Sequence, residues 1–142
     1  MPAMSLIEQA FCRSRPWRAF TRRVVFPWAF GANQLEGDVL ELGSGSGANA
    51  AELLARYPCI RVTATDVDPA MLASARRCLR SFGDRADDRE ADATALPFPD
   101  AAFDAVVSLI MLHHVIGWER ALAESVRVLR PGGLVAGYDL VQ

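Results

Sequence analysis

Residues Val39-Leu40-Glu41-Leu42-Gly43-Ser44-Gly45-Ser46-Gly47 constrain this chain more than any other stretch. A short apolar strand runs through a carboxylate into a loop with glycine at every second position. An Ala-rich segment with helical character follows from Ala48. Glycine reaches positive φ without steric cost, and a loop lacking side chains lets a ligand approach the backbone closely. The unpaired N–H groups and positive dipole end of the next helix point back at the same spot. A strand, glycine loop and helix in this order form a cradle for a nucleotide-type cofactor.

The pattern downstream alternates strand and helix. Asp38–Leu42 reads as a buried strand and Ala48–Tyr57 as a helix ended by Pro58. Ile60–Thr65 is β-branched and alternating, hence a strand. Asp68-Pro69 starts a helix with an N-cap and a first-turn proline, reaching about Phe82 before Gly83. Asp104–Ile110 is an apolar strand. Trp118–Leu129 is an amphipathic helix stopped by Pro131-Gly132-Gly133, and Leu134–Val141 is a last strand. Residues 85–91 are polar with little β propensity, yet they sit where the alternation demands a strand. An edge position tolerates that, because charge there discourages further pairing. The expected fold class is α/β: a Rossmann-like three-layer sandwich with a mostly parallel sheet of about five strands. Residues 1–31 are expected to form a separate helical segment ahead of a binding domain at 32–142.

Charge and cysteine usage exclude several classes. A net charge of −2 gives no general attraction to nucleic acid. Cys12, Cys59 and Cys78 are odd in number and lack metal-type spacing, which suits thiols in a reducing, cytoplasmic compartment. The only histidines, His113 and His114, are adjacent, so no metal site is expected. Arginines interrupt the N-terminal apolar residues, which argues against a signal peptide. No apolar run approaches the roughly 20 residues of a membrane span. The N-terminal segment holds five Arg against one Glu, interleaved with Trp17, Phe20, Phe26 and Trp28. It is compatible with a helix packed on the sheet, a lid, or a helix lying on a membrane surface.

Four motifs, in order, resemble those of the class I S-adenosylmethionine-dependent methyltransferases of small-molecule type. They are Glu41-Leu42-Gly43-Ser44-Gly45-Ser46-Gly47; Thr65-Asp66-Val67-Asp68; Asp92-Ala93 with Leu96-Pro97-Phe98-Pro99-Asp100 and Phe103-Asp104; and Leu129-Arg130-Pro131-Gly132-Gly133. The resemblance covers roughly residues 36–140. The glycine loop alone also fits a dinucleotide pattern and leaves NAD open. The other three motifs and Glu41 favour S-adenosylmethionine, with S-adenosylhomocysteine as product.

The resemblance implies cofactor contacts from Gly43, Ser44, Gly45 and Gly47 and an organising role for Glu41 at the cationic methionine end. It implies ribose recognition by Asp66 and adenine contacts from Val67, Asp92 and the Ala93 backbone. Independently, Asp66 lies 19 residues beyond Gly47, at a strand end beside the loop, where a carboxylate can accept from ribose hydroxyls. Its alternative is helix capping, for which Asp68 is better placed. Val67 and Asp92 also fit plain packing and a solvated acidic run. A lone carboxylate ending a buried strand, as Glu41 does, demands a polar role. His114 follows the fourth strand and is the candidate catalytic base or orienting group, ahead of His113. The expected acceptor is a small or lipid-like molecule. The family's sheet usually continues past the fifth strand with a helix and an antiparallel hairpin. Without them the fifth-strand edge invites homodimer formation, and a non-catalytic cofactor-binding domain is the alternative function.

Overall fold

The strand–loop–helix unit forms where the sequence demands it. β1 (Gly37–Leu42) ends in the glycine loop, and α3 (Ala48–Arg56) begins directly after Gly47. In this computed structural model Ile7, Ala10 and residues 14–139 are described. Ahead of β1 lie α1 (Arg15–Phe20), a π turn (Thr21–Val25) and α2 (Phe26–Phe30). After α3 come β2 (Ile60–Asp66), α4 (Pro69–Leu79), a 3-10 turn (Arg80–Arg85) and β3 (Ala86–Glu90). β4 (Phe103–Leu109), a short 3-10 turn (Leu112–His114), α5 (Trp118–Val128) and β5 (Leu129–Tyr138) complete the order.

The five strands form one sheet in the order β3-β2-β1-β4-β5, every pairing parallel. Side chains alternate across it. Val39 joins Val62, Ala105 and Val107 on one face, packed against Phe26, Phe30, Leu53, Leu54 and Tyr57. Leu40, Leu42, Phe103 and Val106 face the other way, onto Leu96, Met111, Ala121 and Val128. These layers give the expected three-layer sandwich. Each fully buried Leu or Phe contributes roughly 1.5–3 kcal/mol of transfer free energy.

Phe26 and Phe30 are fully enclosed in the first core, so the N-terminal segment packs on the sheet side by that face. Its other face exposes Phe20, Val24 and Trp28. The sequence separates these three by four residues each. An α turn overshoots at that spacing and a π turn undershoots, so the π turn holds all three on one stripe.

Asp68 caps α4, its Oδ1 accepting from the Ala70 N–H at 2.8 Å. That helix ends at Leu79, short of the expected Phe82, because Gly83 turns at φ 57° inside the 3-10 segment that follows. Arg85 then donates to the carbonyls of Leu54, Tyr57 and Ile60, tying this turn to the end of α3. The polar strand β3 does lie at the sheet edge, and its Asp88 pairs with Arg76 of α4.

The last strand differs more. Pairing begins at Leu129, opposite Phe103, and resumes at Leu134, opposite Ala105. The expected turn at Pro131-Gly132-Gly133 is thus a wide bulge inside β5, with Gly132 at φ 81°. The bulge aims Arg130 at Asp104 (2.7 Å) and Asp38 (3.2 Å), and that gain in ion pairing accounts for the early start. Leu140 and Val141 of the expected strand, and Cys12, lie outside the described residues. Cys59 and Cys78 are free and exposed. Between α5 and the outer strands a half-open cavity of about 260 Å³ is lined by Leu42, Val106, Ser108, Leu122, Val135 and Asp139, among others.

Candidate active site

Strand order reverses between β1 and β4, which run to neighbours on opposite sides. In open α/β sheets ligands bind at the carboxyl edge beside such a switch point. The loops leaving β1, β2 and β4 gather there, with Asp139 just past β5.

The glycine loop is folded by its own backbone and by Asp66. Gly43, Gly45 and Gly47 have φ of 62°, 54° and 82°. A Cβ on Gly43 would lie 2.2 Å from Met111 Cγ, and one on Gly47 would lie 2.9 Å from the Ala75 backbone. Gly45 differs, since a Cβ there would meet nothing within 4 Å. Its left-handed backbone faces open space, as a ligand cradle requires. The Gly45 N–H donates to Asp66 Oδ2 (2.9 Å), and the Asp68 N–H donates to Asp66 Oδ1 (2.9 Å). The Ser44 N–H donates to the Thr65 carbonyl, and Thr65 Oγ1 donates to the Glu41 carbonyl. The ends of β1 and β2 are therefore latched, with Glu41, Gly43, Ser44, Gly45, Gly47 and Asp66 in one group.

Glu41 is the electrostatic anomaly of the site. It is 1% exposed, and its Oε2 has no hydrogen-bond partner among the described residues. Burial, with the nearby Asp66 charge adding to it, pushes its pKa up to about 8. An unpaired buried carboxylate is costly, so this one is neutral near pH 7 or awaits a cation or donor. Ser44 Oγ is buried and unpartnered as well.

On the adenine side, Val67 follows Asp66 with 37% of its surface open. The Ala91 N–H donates to the Asp66 carbonyl, which brings Asp92 and Ala93 to the same edge. Asp92 is exposed and accepts from the Thr94 N–H and hydroxyl, which holds its pKa below the usual range, while Ala93 is buried. The loop from 92 to 100 contains no helix, and α5 fastens it. Arg127 donates to the Leu96 and Phe98 carbonyls and to Asp100, Glu124 accepts from the Leu96 N–H, and Arg120 donates to the Thr94 carbonyl. The Arg127 guanidinium holds Glu124 far below the usual carboxylate range.

On the β4 side, Ile110 takes φ 55°, a strained conformation for a β-branched residue. It turns the chain so that Met111 packs over Gly43. His113 and His114 follow, their rings 3.9 Å apart. His114 donates its backbone N–H to the Met111 carbonyl. His113, not His114, receives a carboxylate. Asp139, just past β5, meets His113 Nδ1 at 2.5 Å and accepts from the His113 N–H at 3.2 Å. Sequence reasoning passed over Asp139, Met111, Glu124 and Arg127. Asp139 had a signal, being an acid at the carboxyl end of a strand, where the ligand edge lies. Met111 had none.

Comparison with known proteins fits this architecture. A sequence profile described as "Methyltransferase domain" matches residues 40–137. A demethylmenaquinone methyltransferase from Thermus thermophilus is 45% identical over 95 residues, covering 67% of this chain and 43% of that protein. The enzyme of the same name from Clavibacter sepedonicus is 39% identical over 120 residues, 84% of this chain and 45% of its own. This chain thus spans less than half the length of either relative. Among solved structures, the [4+2]-cyclase SpnF is 36% identical with a TM-score of 0.65, covering 71% of this chain and 39% of that one. A protein from Pyrococcus horikoshii shares the fold with a TM-score of 0.81 at 24% identity, covering 96% of this chain and 66% of its own. The profile match spans well over half of the residues, and the chain belongs to the methyltransferase domain family.

Proposed function

We propose that this chain binds S-adenosylmethionine at the carboxyl edge of β1, β2 and β4 and transfers its methyl group to a small or lipid-like acceptor. One observation carries the reading: a buried, unpartnered carboxylate, Glu41, stands behind a glycine loop whose central residue faces open space. The cofactor brings an ammonium and an activated methyl on a sulfonium, and the acidic, unsatisfied pocket suits those cations. Gly43, Ser44, Gly45 and Gly47 hold the methionine end. Asp66, with lone pairs beyond those used on Gly45 and Asp68, takes the ribose. Val67, Asp92 and the Ala93 backbone take the adenine. Histidine at 113–114 stands on the acceptor side. Residues 1–31 serve as a lid over the domain at 32–142.

Titration calorimetry with S-adenosylhomocysteine and with NAD tests the cofactor. Micromolar binding of the first and none of the second is expected, and the reverse would overturn the reading. A second reading, cofactor binding without methyl transfer, is favoured by the likeness to the [4+2]-cyclase SpnF. Turnover against an acceptor library separates the two. The protein works in the cytoplasm without nucleic acid. Among the described residues no helix is long and apolar enough to cross a membrane.

A further inference from the structure

We infer that His113, oriented by Asp139, is the general base of the reaction, and that the acceptor is a neutral hydroxyl compound. This rests on the cofactor reading above. His113 and Asp139 leave different strands, 26 positions apart, and meet at the edge where the glycine loop lies. A carboxylate only accepts, so at Nδ1 the imidazole donates. In the neutral ring that fixes the tautomer with the lone pair on Nε2, which has no hydrogen-bond partner among the described residues. Asp139 also accepts from the backbone N–H of the same histidine, and the His114 ring lies against it, tilted by 43°. The ring is thus held by its neighbours on the backbone side, on one face and at Nδ1, and the basic nitrogen is left for a substrate.

Such a base matches acceptors that must lose a proton to react, and a hydroxyl hands its proton to Nε2 directly. A carboxylate acceptor is already ionised, and a neutral amine attacks before it loses a proton. A hydroxyl is a poor nucleophile until its proton leaves. In the step, the acceptor O–H proton passes to His113 Nε2 and the oxygen pair forms the bond to the methyl carbon. The carbon–sulfur bond breaks with its pair staying on sulfur. Asp139 balances the imidazolium until its proton goes to water.

The test uses two phenols at pH 8, 4-methoxyphenol, which is neutral, and 4-nitrophenol, which is largely ionised. Wild type is expected to methylate both. His113→Ala is expected to lose about 10²–10⁴-fold in turnover on the neutral phenol. It should keep most activity on the ionised one and bind S-adenosylhomocysteine unchanged. Asp139→Asn should lower kcat on the neutral phenol with KM unaltered. Equal losses on both phenols, or none, would overturn the assignment, as would homocysteine-compound binding without turnover of either phenol. Failure to bind that compound at all would instead sink the cofactor reading. A measurement independent of turnover is the nitrogen-15 NMR spectrum of the imidazoles. It should show His113 protonated at Nδ1 and bare at Nε2, and a proton on Nε2 in the free protein would refute the base.

Discussion

Glu41 and the glycines show how much depends on single residues. The Glu41 pKa is raised from 4.5 to about 8, so the folded state binds a proton that the unfolded chain has released across that window. The stability that Glu41 contributes to the ligand-free protein is fully present below about pH 4.5 and is lost as pH rises toward 8, with a slope of up to about 1.4 kcal/mol per pH unit. Urea titrations at several pH values should show this slope for wild type and a flatter line for Glu41→Gln. A cation bound beside Glu41 favours its ionised form. S-adenosylhomocysteine should therefore bind more tightly at pH 8 than at pH 6, releasing about one proton, which calorimetry in buffers of different ionisation enthalpy measures. The glycines separate stability from binding. Gly47→Ala places a Cβ against the Ala75 backbone and should cost about 2 kcal/mol or more in unfolding free energy. Gly45→Ala meets no protein atom, so it should cost only the left-handed strain, about 1–2 kcal/mol, while weakening cofactor binding more severely.

At the scale of elements, α5 does two jobs from one helix. Its inner face buries Ala121, Ser125 and Val128, and Arg120, Glu124 and Arg127 reach sideways to the loop that carries Asp92 and Ala93. Arg127→Ala frees the Leu96 and Phe98 carbonyls and leaves Glu124 without its cation. Cofactor affinity is expected to fall several-fold, and hydrogen exchange in residues 92–100 to accelerate. Arg127→Lys should not restore either property, since one ammonium cannot span the four acceptor groups of Leu96, Phe98, Asp100 and Glu124 that the guanidinium's fork reaches. In the N-terminal segment Phe26→Ala should cost about 3–5 kcal/mol, as a fully buried aromatic, whereas the exposed Trp28→Ala should be nearly neutral. Chemical denaturation of the two variants checks the contrast.

For the whole molecule, β5 forms one edge of the sheet. Among the described residues β5 pairs only with β4, runs ten residues, carries Arg130 as its one charge and exposes 40% of Val135. Beside it lies the half-open cavity along β4 and α5. We propose that two copies of this chain pair through β5, since strand edges pair with other strands. Light scattering on the eluting protein should give twice the chain mass, and Val135→Lys should return it to a monomer. The parallel α/β class, the polar edge strand and the Asp68 cap were legible in the sequence, because periodicity, caps and glycine spacing are local and repeat what the backbone needs. The glycine loop and the acids at strand ends were legible for the same reason, since short-range geometry sets them, and the structure brings Gly45 and Asp66 together. The long bulge at Arg130–Gly133 was not, since it exists to bring Arg130 to Asp38 and Asp104 across two other strands. Nor was the choice of His113 over His114. The two residues are alike in sequence, and only the meeting of the β4 and β5 ends gives one of them a carboxylate. The sequence by itself determined the class of fold and the cofactor cradle, both written in local pattern. The tertiary structure decided which carboxylate stands buried without a partner and which histidine meets one, because both depend on contacts between residues far apart in the chain.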